Sequence, residues 1–134
     1  MPTLDINLIE LPKITDPRGN LSIIEECRQI PFDIKRVYWL YDIPGGTERG
    51  GRALRHTDEF IVALSGSFDV ELDDGHSRQV FQLNRSYYGL LVPSGLWRTM
   101  VNFSTNALAL VLSSTDYSDA DYIFDYNEFK NIAR

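Results

Sequence analysis

Between Ile34 and Ser113 turn formers cut the sequence into segments too short for helices and rich in β-branched and aromatic residues. That punctuation limits the chain to a barrel or a sandwich of strands. Ile34, Arg36, Tyr38 and Leu40 alternate with Lys35, Val37, Trp39 and Tyr41, which predicts a strand with both faces partly covered, ended by Pro44, Gly45 and Gly46. The segment Arg52 to Leu64 turns apolar toward its end, Ser65-Gly66 supplies a tight turn, and Phe68, Val70 and Leu72 then mark a half-buried strand. Asp73-Asp74-Gly75-His76 predicts a hairpin, because Asp-Gly accepts the positive φ of a type I′ turn. Val80 to Leu83, Tyr88 to Val92, Trp97 to Phe103 and Ala107 to Ser113 follow as short strands. Upstream, after an extended N-terminal stretch, Asp16-Pro17-Arg18-Gly19-Asn20 reverses the chain and Leu21 to Glu26 reads as a strand. Downstream, Ser118-Asp119-Ala120-Asp121 resembles a capping box. Tyr122, Ile123, Tyr126, Phe129 and Ile132 recur at helical spacing, which predicts a C-terminal helix on the outside of the barrel.

The 134 residues suit one domain, 1–134. A single cysteine, Cys27, rules out an internal disulfide and a Cys-based zinc cluster, reads as structural and fits a reducing cytosol. The N-terminus carries no leader pattern, and no window approaches the roughly 18 apolar residues of a membrane span, so the expectation is a soluble cytoplasmic protein with no membrane partner. The net charge of -6 argues against nucleic acid as a partner. An anionic ligand would have to be drawn by a local cluster of arginines.

Two stretches suggest where that cluster lies. GRALRHTDEFIVALSG, from Gly51 to Gly66, resembles the first half of the cupin motif, in which two histidines one residue apart precede a glutamate and a glycine. Glu59 and Gly66 keep their places, while Arg52 and Leu54 hold the histidine positions. PSGLWRTMVN, from Pro93 to Asn102, resembles the second half, with Arg98 where the third histidine stands. A metal site needs neutral nitrogen and carboxylate donors converging on a cation, and two guanidinium charges would repel it. The expectation is an all-β single cupin barrel, a double-stranded β-helix or jelly-roll with a short C-terminal α-helix, whose interior binds an anion, with no metal and no cofactor.

The pieces DPRGNLSIIEE, IPFDIKRVYWLYDIP, ERGG, ALSGSFDVELDDG, GLLVPSGLWRTM and YSDADYIFDYNEF, spread from Asp16 to Phe129, resemble the WxcM-like (FdtA-type) sugar 3,4-ketoisomerases. The resemblance implies a small metal-independent cupin, usually a homodimer, acting on a dTDP-linked 4-keto-6-deoxyhexose in deoxysugar and surface polysaccharide biosynthesis. It also implies a site residue, since Arg18 matches an arginine placed near the nucleotide or its phosphates. Arg98 matches a position held by His or Arg and associated with the configuration produced at C4. The departure is Arg52-Ala53-Leu54, where the family carries His-Ala-His to shuttle protons between C3 and C4. Arginine stays protonated and leucine has no proton to give, so neither replaces the base. Three readings follow: an isomerase with another base, a catalytically silent module that binds the nucleotide sugar or partners an active paralogue, or a related enzyme, such as an epimerase, on a similar substrate.

Candidate replacements come from the residues themselves. On an extended strand His56 shares a face with Arg52 and Leu54, so it either enters the cavity or sits at the strand's mouth as an ordinary polar residue. Tyr38 and Tyr41 lie on alternate faces of one strand, so at most one lines the site, where its phenol would donate to an enediolate. Arg52 and Arg98 form either a clamp for a diphosphate or a sugar oxygen, or Arg52 makes a structural ion pair with Glu59 that fills the barrel. Trp97 either stacks on the thymine or packs in the core. His76, beside the Asp-Gly turn, has no assigned role.

Overall fold

A computed structural model describes residues 6–133. The part of the extended N-terminal stretch that falls on residues 1–5 lies outside them. The strands are β1 (Leu8–Glu10), β2 (Lys13–Asp16), β3 (Gly19–Ser22), β4 (Arg36–Leu40), β5 (Arg49–Leu54) and β6 (Glu59–Ser65). They continue with β7 (Phe68–Asp73), β8 (Arg78–Leu83), β9 (Tyr88–Val92), β10 (Trp97–Val101), β11 (Leu108–Ser113) and β12 (Tyr122–Ile123), before a helix α1 (Tyr126–Ile132). Two antiparallel five-stranded sheets face each other, ordered β1-β9-β6-β11-β4 and β12-β5-β10-β7-β8. This crossing order is the jelly-roll barrel that the punctuation and the cupin-like stretches predicted.

The hydrophobic pattern explains the layering. Ile61, Phe68, Val70, Leu72, Leu90, Met100 and Val111 fill the space between the sheets. Phe60 and Val62, on the other face of β6, pack with Leu11, Ile30, Phe32 and Leu112 beneath the segment that follows β3. Residues Glu59 to Ala63 are therefore all buried, which is why this stretch reads as a continuous apolar run and not as an alternation. Gly89 allows the close approach of β9 to β6, for a Cβ there would stand 2.5 Å from the Phe60 ring.

Two expected elements come out differently. The strand expected over Leu21 to Glu26 stops at Ser22, because Ile24 leaves the hairpin to pack with Phe60 and its neighbours on the outer face of the first sheet. The helix begins later than the Ser118 pattern suggested. Ser118 makes no side-chain cap, Asp119–Asp121 form one 3-10 turn, and Tyr122–Ile123 pair with β5 as a strand. Asp125 is the true N-cap, its carboxylate accepting from the Asn127 N–H. Phe129 then anchors the helix against Ala53 and Ile123 on the barrel's outer surface.

Candidate functional site

A cavity of about 270 Å³ opens between the sheets, with Arg36, Tyr38 and Leu40 of β4 on one side and residues of β5 and β10 on the other. Alternation on β4 puts its three residues on one face, as the sequence shows. Strand β5 is different. Arg49 and Arg52 both line the cavity although their odd spacing should send them to opposite faces. The register supplies the reason: Arg98 lies opposite Arg52 and Met100 opposite Arg49, so β5 spends three steps where β10 spends two. The extra residue is a bulge, and Gly50, at φ +80°, takes the left-handed conformation it needs.

The floor of the cavity is a bonded cluster centred on the Tyr38 hydroxyl. It donates to Glu59 Oε2 at 2.8 Å and accepts from Arg52 Nη2 and Arg98 Nη2, each at 2.8 Å. Ser113 donates to the same Glu59 oxygen at 3.1 Å. Arg98 Nη1 stands 2.9 Å from Glu59 Oε1, but the N–H is not aligned along that line, so this is ion contact without a directional hydrogen bond. Both side chains are nearly sealed, 3% and 1% exposed.

Burial pushes the Tyr38 phenol above the usual tyrosine range. Arg98 and, more weakly, Arg52 pull it down, and Glu59 adds to the rise. At neutral pH the group is therefore a phenol. Burial works to lower the Arg98 value, yet the Glu59 charge, helped by Tyr38, more than offsets it and keeps the guanidinium protonated. Four guanidinium groups, those of Arg36, Arg49, Arg52 and Arg98, face one carboxylate here. The surplus positive charge suits an anion. Among the described residues no group of three His, Cys, Asp or Glu side chains gathers in metal-binding geometry.

The sequence-predicted residues divide. Tyr38, Arg52, Glu59 and Arg98 come together, although Glu59 pairs in ion contact with Arg98 and reaches Arg52 through Tyr38, not directly as expected. Tyr41 is 64% exposed on the other face of the chain. His56 does not share the face of Arg52: β5 ends at Leu54, the chain bends, and the His56 N–H donates to the Asp121 carboxylate at 2.6 Å while the side chain is exposed. Trp97 alternates with Arg98 and so points outward, its ring 5.2 Å edge-on to Tyr126 and 5.7 Å from Phe129 beneath α1. Arg18, at the tip of the β2–β3 hairpin, is 90% exposed, bonded to Asp16, and does not line the cavity. Leu54 is buried deeper in the barrel beside Arg98 and Glu59. Cys27 is exposed, its thiol bonded to Asp33.

The sequence reading missed Arg36, Arg49, Tyr117 and Tyr122. Arg36 was available from its alternation with Tyr38. Arg49 depends on the bulge, and the two tyrosines reach the cavity only through pairing of the tail with β5.

Comparison with known proteins gives the family of the chain. Residues 4–134 match the family described as WxcM-like, C-terminal (FdtA). A TDP-4-oxo-6-deoxy-alpha-D-glucose-3,4-oxoisomerase of Aneurinibacillus thermoaerophilus is 40% identical over 127 residues, 95% of this chain and 91% of that one. A crystal structure of a 3,4-ketoisomerase from Helicobacter canadensis superposes with a TM-score of 0.95 at 35% identity over 98% of both chains. A histidine-to-asparagine variant of the QdtA 3,4-ketoisomerase from Thermoanaerobacterium thermosaccharolyticum, in complex with TDP-4-keto-6-deoxyglucose, superposes with a TM-score of 0.95 at 31% identity over 98% of this chain and 96% of that one. On sequence and structure together, the chain belongs to the WxcM-like (FdtA) family.

Proposed function

We propose that the protein is a 3,4-ketoisomerase acting on a TDP-linked 4-keto-6-deoxyhexose in deoxysugar biosynthesis, with Tyr38 moving the proton. The observation that carries this reading is the Tyr38 hydroxyl, which sits in the cavity bonded to Glu59, Arg52 and Arg98 at 2.8 Å each. The names of the relatives supply the substrate class, and the arginine-lined cavity supplies a place for its diphosphate.

Tyr38 replaces the absent histidines by relay. As a phenol it accepts a proton only while giving up its own, and Glu59 Oε2 is placed to receive that one. The C3 proton passes to the Tyr38 oxygen as the phenol proton moves to Glu59 and one arginine turns from the phenol to O4, freeing the lone pair that the proton needs; the resulting enediolate bears its charge on O4 beside the Arg52 and Arg98 guanidinium groups. The O3 proton moves to O4. Tyr38 then protonates C4 and regains its proton from Glu59, so that a C3 ketone and a C4 hydroxyl result with no proton gained or lost.

A homodimer belongs to the same reading. The β2–β3 hairpin pairs with neither sheet and exposes Ile14 and Leu21, and the edge strand β4 exposes Val37 and Trp39. An isolated hairpin is marginal in water, and a second copy covers both surfaces in this reading. Arg18, at the hairpin tip, then has a partner surface within reach and its phosphate role rests on that assembly. A cytoplasmic location belongs to the same reading, supported by the lone cysteine and the nucleotide substrate class.

The test is proton NMR with TDP-4-keto-6-deoxyglucose in D2O. A 3-keto product with deuterium at the exchanging carbons, lost in Tyr38→Phe, is the expected result. Saturable line broadening with neither exchange nor product would make the protein a binder and overturn the isomerase reading.

A further inference from the structure

Behind the Tyr38 cluster lies a second, much smaller cavity of about 10 Å³. Tyr38 lines the large cavity, Glu59 lines the small one and Arg98 lines both, so the bonded cluster is a wall between two spaces. Leu54, Val92 and Leu96 give the small cavity apolar sides, and Thr57, 1% exposed, adds a polar one. The wall is not satisfied on this side. Glu59 Oε2 accepts from the Tyr38 and Ser113 hydroxyls. Among the described residues, however, Glu59 Oε1 has no aligned donor, and Arg98 Nε and Nη1 have no aligned acceptor. Thr57 has capacity left as well. Its one hydroxyl proton goes to Asp121 Oδ2, so the Thr115 hydroxyl, 2.6 Å away, donates to it, and one lone pair of Thr57 Oγ1 remains.

A buried acceptor orphaned beside orphaned donors costs free energy, which a group able both to give and to take hydrogen bonds would recover. The charges exclude an ion, since Arg98 repels a cation and Glu59 an anion. About 10 Å³ is room for one water. We propose that this cavity is the site of one ordered water, which donates to Glu59 Oε1 and Thr57 Oγ1 and accepts from Arg98 Nη1. About three hydrogen bonds are usual for a buried water. With Oε1 held, the carboxylate keeps Oε2 on the Tyr38 hydroxyl. The water thus sets the geometry of the proton transfer, a consequence that rests on the ketoisomerase reading. Thr57 is then a positioning residue. The tail takes part too, because the buried Asp121 carboxylate fixes both the Thr57 hydroxyl and, at 2.6 Å, the His56 N–H.

A crystal structure of the wild-type protein at a resolution that shows waters tests the site directly. One ordered water about 3 Å from Glu59 Oε1, Arg98 Nη1 and Thr57 Oγ1 is the expected result, and a cavity without it would overturn the proposal. Thr57→Val, close in shape but lacking the hydroxyl, should lose the water, and Thr57→Ser should keep it. Arg98, Tyr38 and Ser113, which face Glu59 from the neighbouring strands, are unaltered in both variants. A water that donates to Glu59 favours its ionised form. The acid limb of turnover against pH, with TDP-4-keto-6-deoxyglucose as substrate, should therefore move up by about 1 pH unit in Thr57→Val and stay in place in Thr57→Ser. A loss of folded protein would lower the whole profile without moving its limb. An unmoved limb in Thr57→Val would overturn the positioning role. Wild-type protein with the water in place and no turnover would overturn the ketoisomerase reading, and the water's part in proton transfer with it, while the water site would stand.

Discussion

Two arginine–carboxylate pairs in this molecule have nearly the same separation and opposite consequences. Arg98 and Glu59 lie 2.9 Å apart with 3% and 1% of their side chains exposed. Arg18 and Asp16 lie 2.8 Å apart at 90% and 41%. The first pair has left water, so each charge depends on the other and on Tyr38. The second keeps its hydration whether or not the partner is there. Geometry is thus a poor guide to the worth of an ion pair, and burial decides.

Removing one buried partner should have the largest effect. Glu59→Ala strands the Arg98 guanidinium and should cost about 3–5 kcal/mol in urea unfolding. Glu59→Leu combined with Arg98→Met should regain most of that stability, while abolishing turnover. A double variant as unstable as the single one would mean that the pair itself holds the barrel together. Tyr38→Phe comes next: it removes the relay and should lower turnover at least about 100-fold. It should cost stability of about 1–3 kcal/mol, because Glu59 and two arginines lose a bonded neighbour.

Tyr38→Phe also has a pH signature. The folded phenol titrates above the unfolded one, so its contribution is complete below about pH 10 and is lost as the pH rises from there through the raised value. Melting temperature against alkaline pH should therefore fall less steeply in Tyr38→Phe than in the wild type. Gly50→Ala tests the bulge. An alanine at φ +80° should cost about 1–2 kcal/mol, and any relaxation that restores alternation would withdraw Arg49 and weaken pyrophosphate binding.

The exposed pair should show the smallest effect. Arg18 holds the Asp16 carboxyl below its ordinary range, so whatever the pair contributes is present above about pH 3.9 and fades as the pH falls. Asp16→Asn should leave thermal unfolding unchanged within scatter, and about 1 M salt should erase any residue of a difference. A clear destabilisation would show that the hairpin is not solvated in the working assembly.

Much of the fold was legible because strand alternation and turn chemistry are local. The hairpin expected at Asp73-Asp74-Gly75-His76 joins β7 and β8, though through a four-residue loop, Asp74 to Ser77, in which Gly75 alone takes a positive φ, and not through a type I′ turn. Pro17 and Arg18 lie at the turn between β2 and β3. The failures share a cause in distant chain. His56 reads as a continuation of its strand until Asp121 captures its N–H from far along the sequence. Tyr122 and Ile123 fit a helix until β5 offers them hydrogen bonds. Trp97 was an open choice between thymine and core, and the outer helix took it.

Within the candidate site the same division holds. The exchange of two histidines for Arg52 and Leu54, the retention of Glu59 and the presence of Arg98 are facts of the sequence, and they determined a barrel interior rich in positive charge. Which carboxylate partners which arginine was a tertiary decision. So were the burial of Tyr38 at their junction and the turning of Arg49 inward by a bulge at Gly50. Residue type fixes what charge a group carries, but its partners and its hydration depend on elements that the chain brings together only on folding.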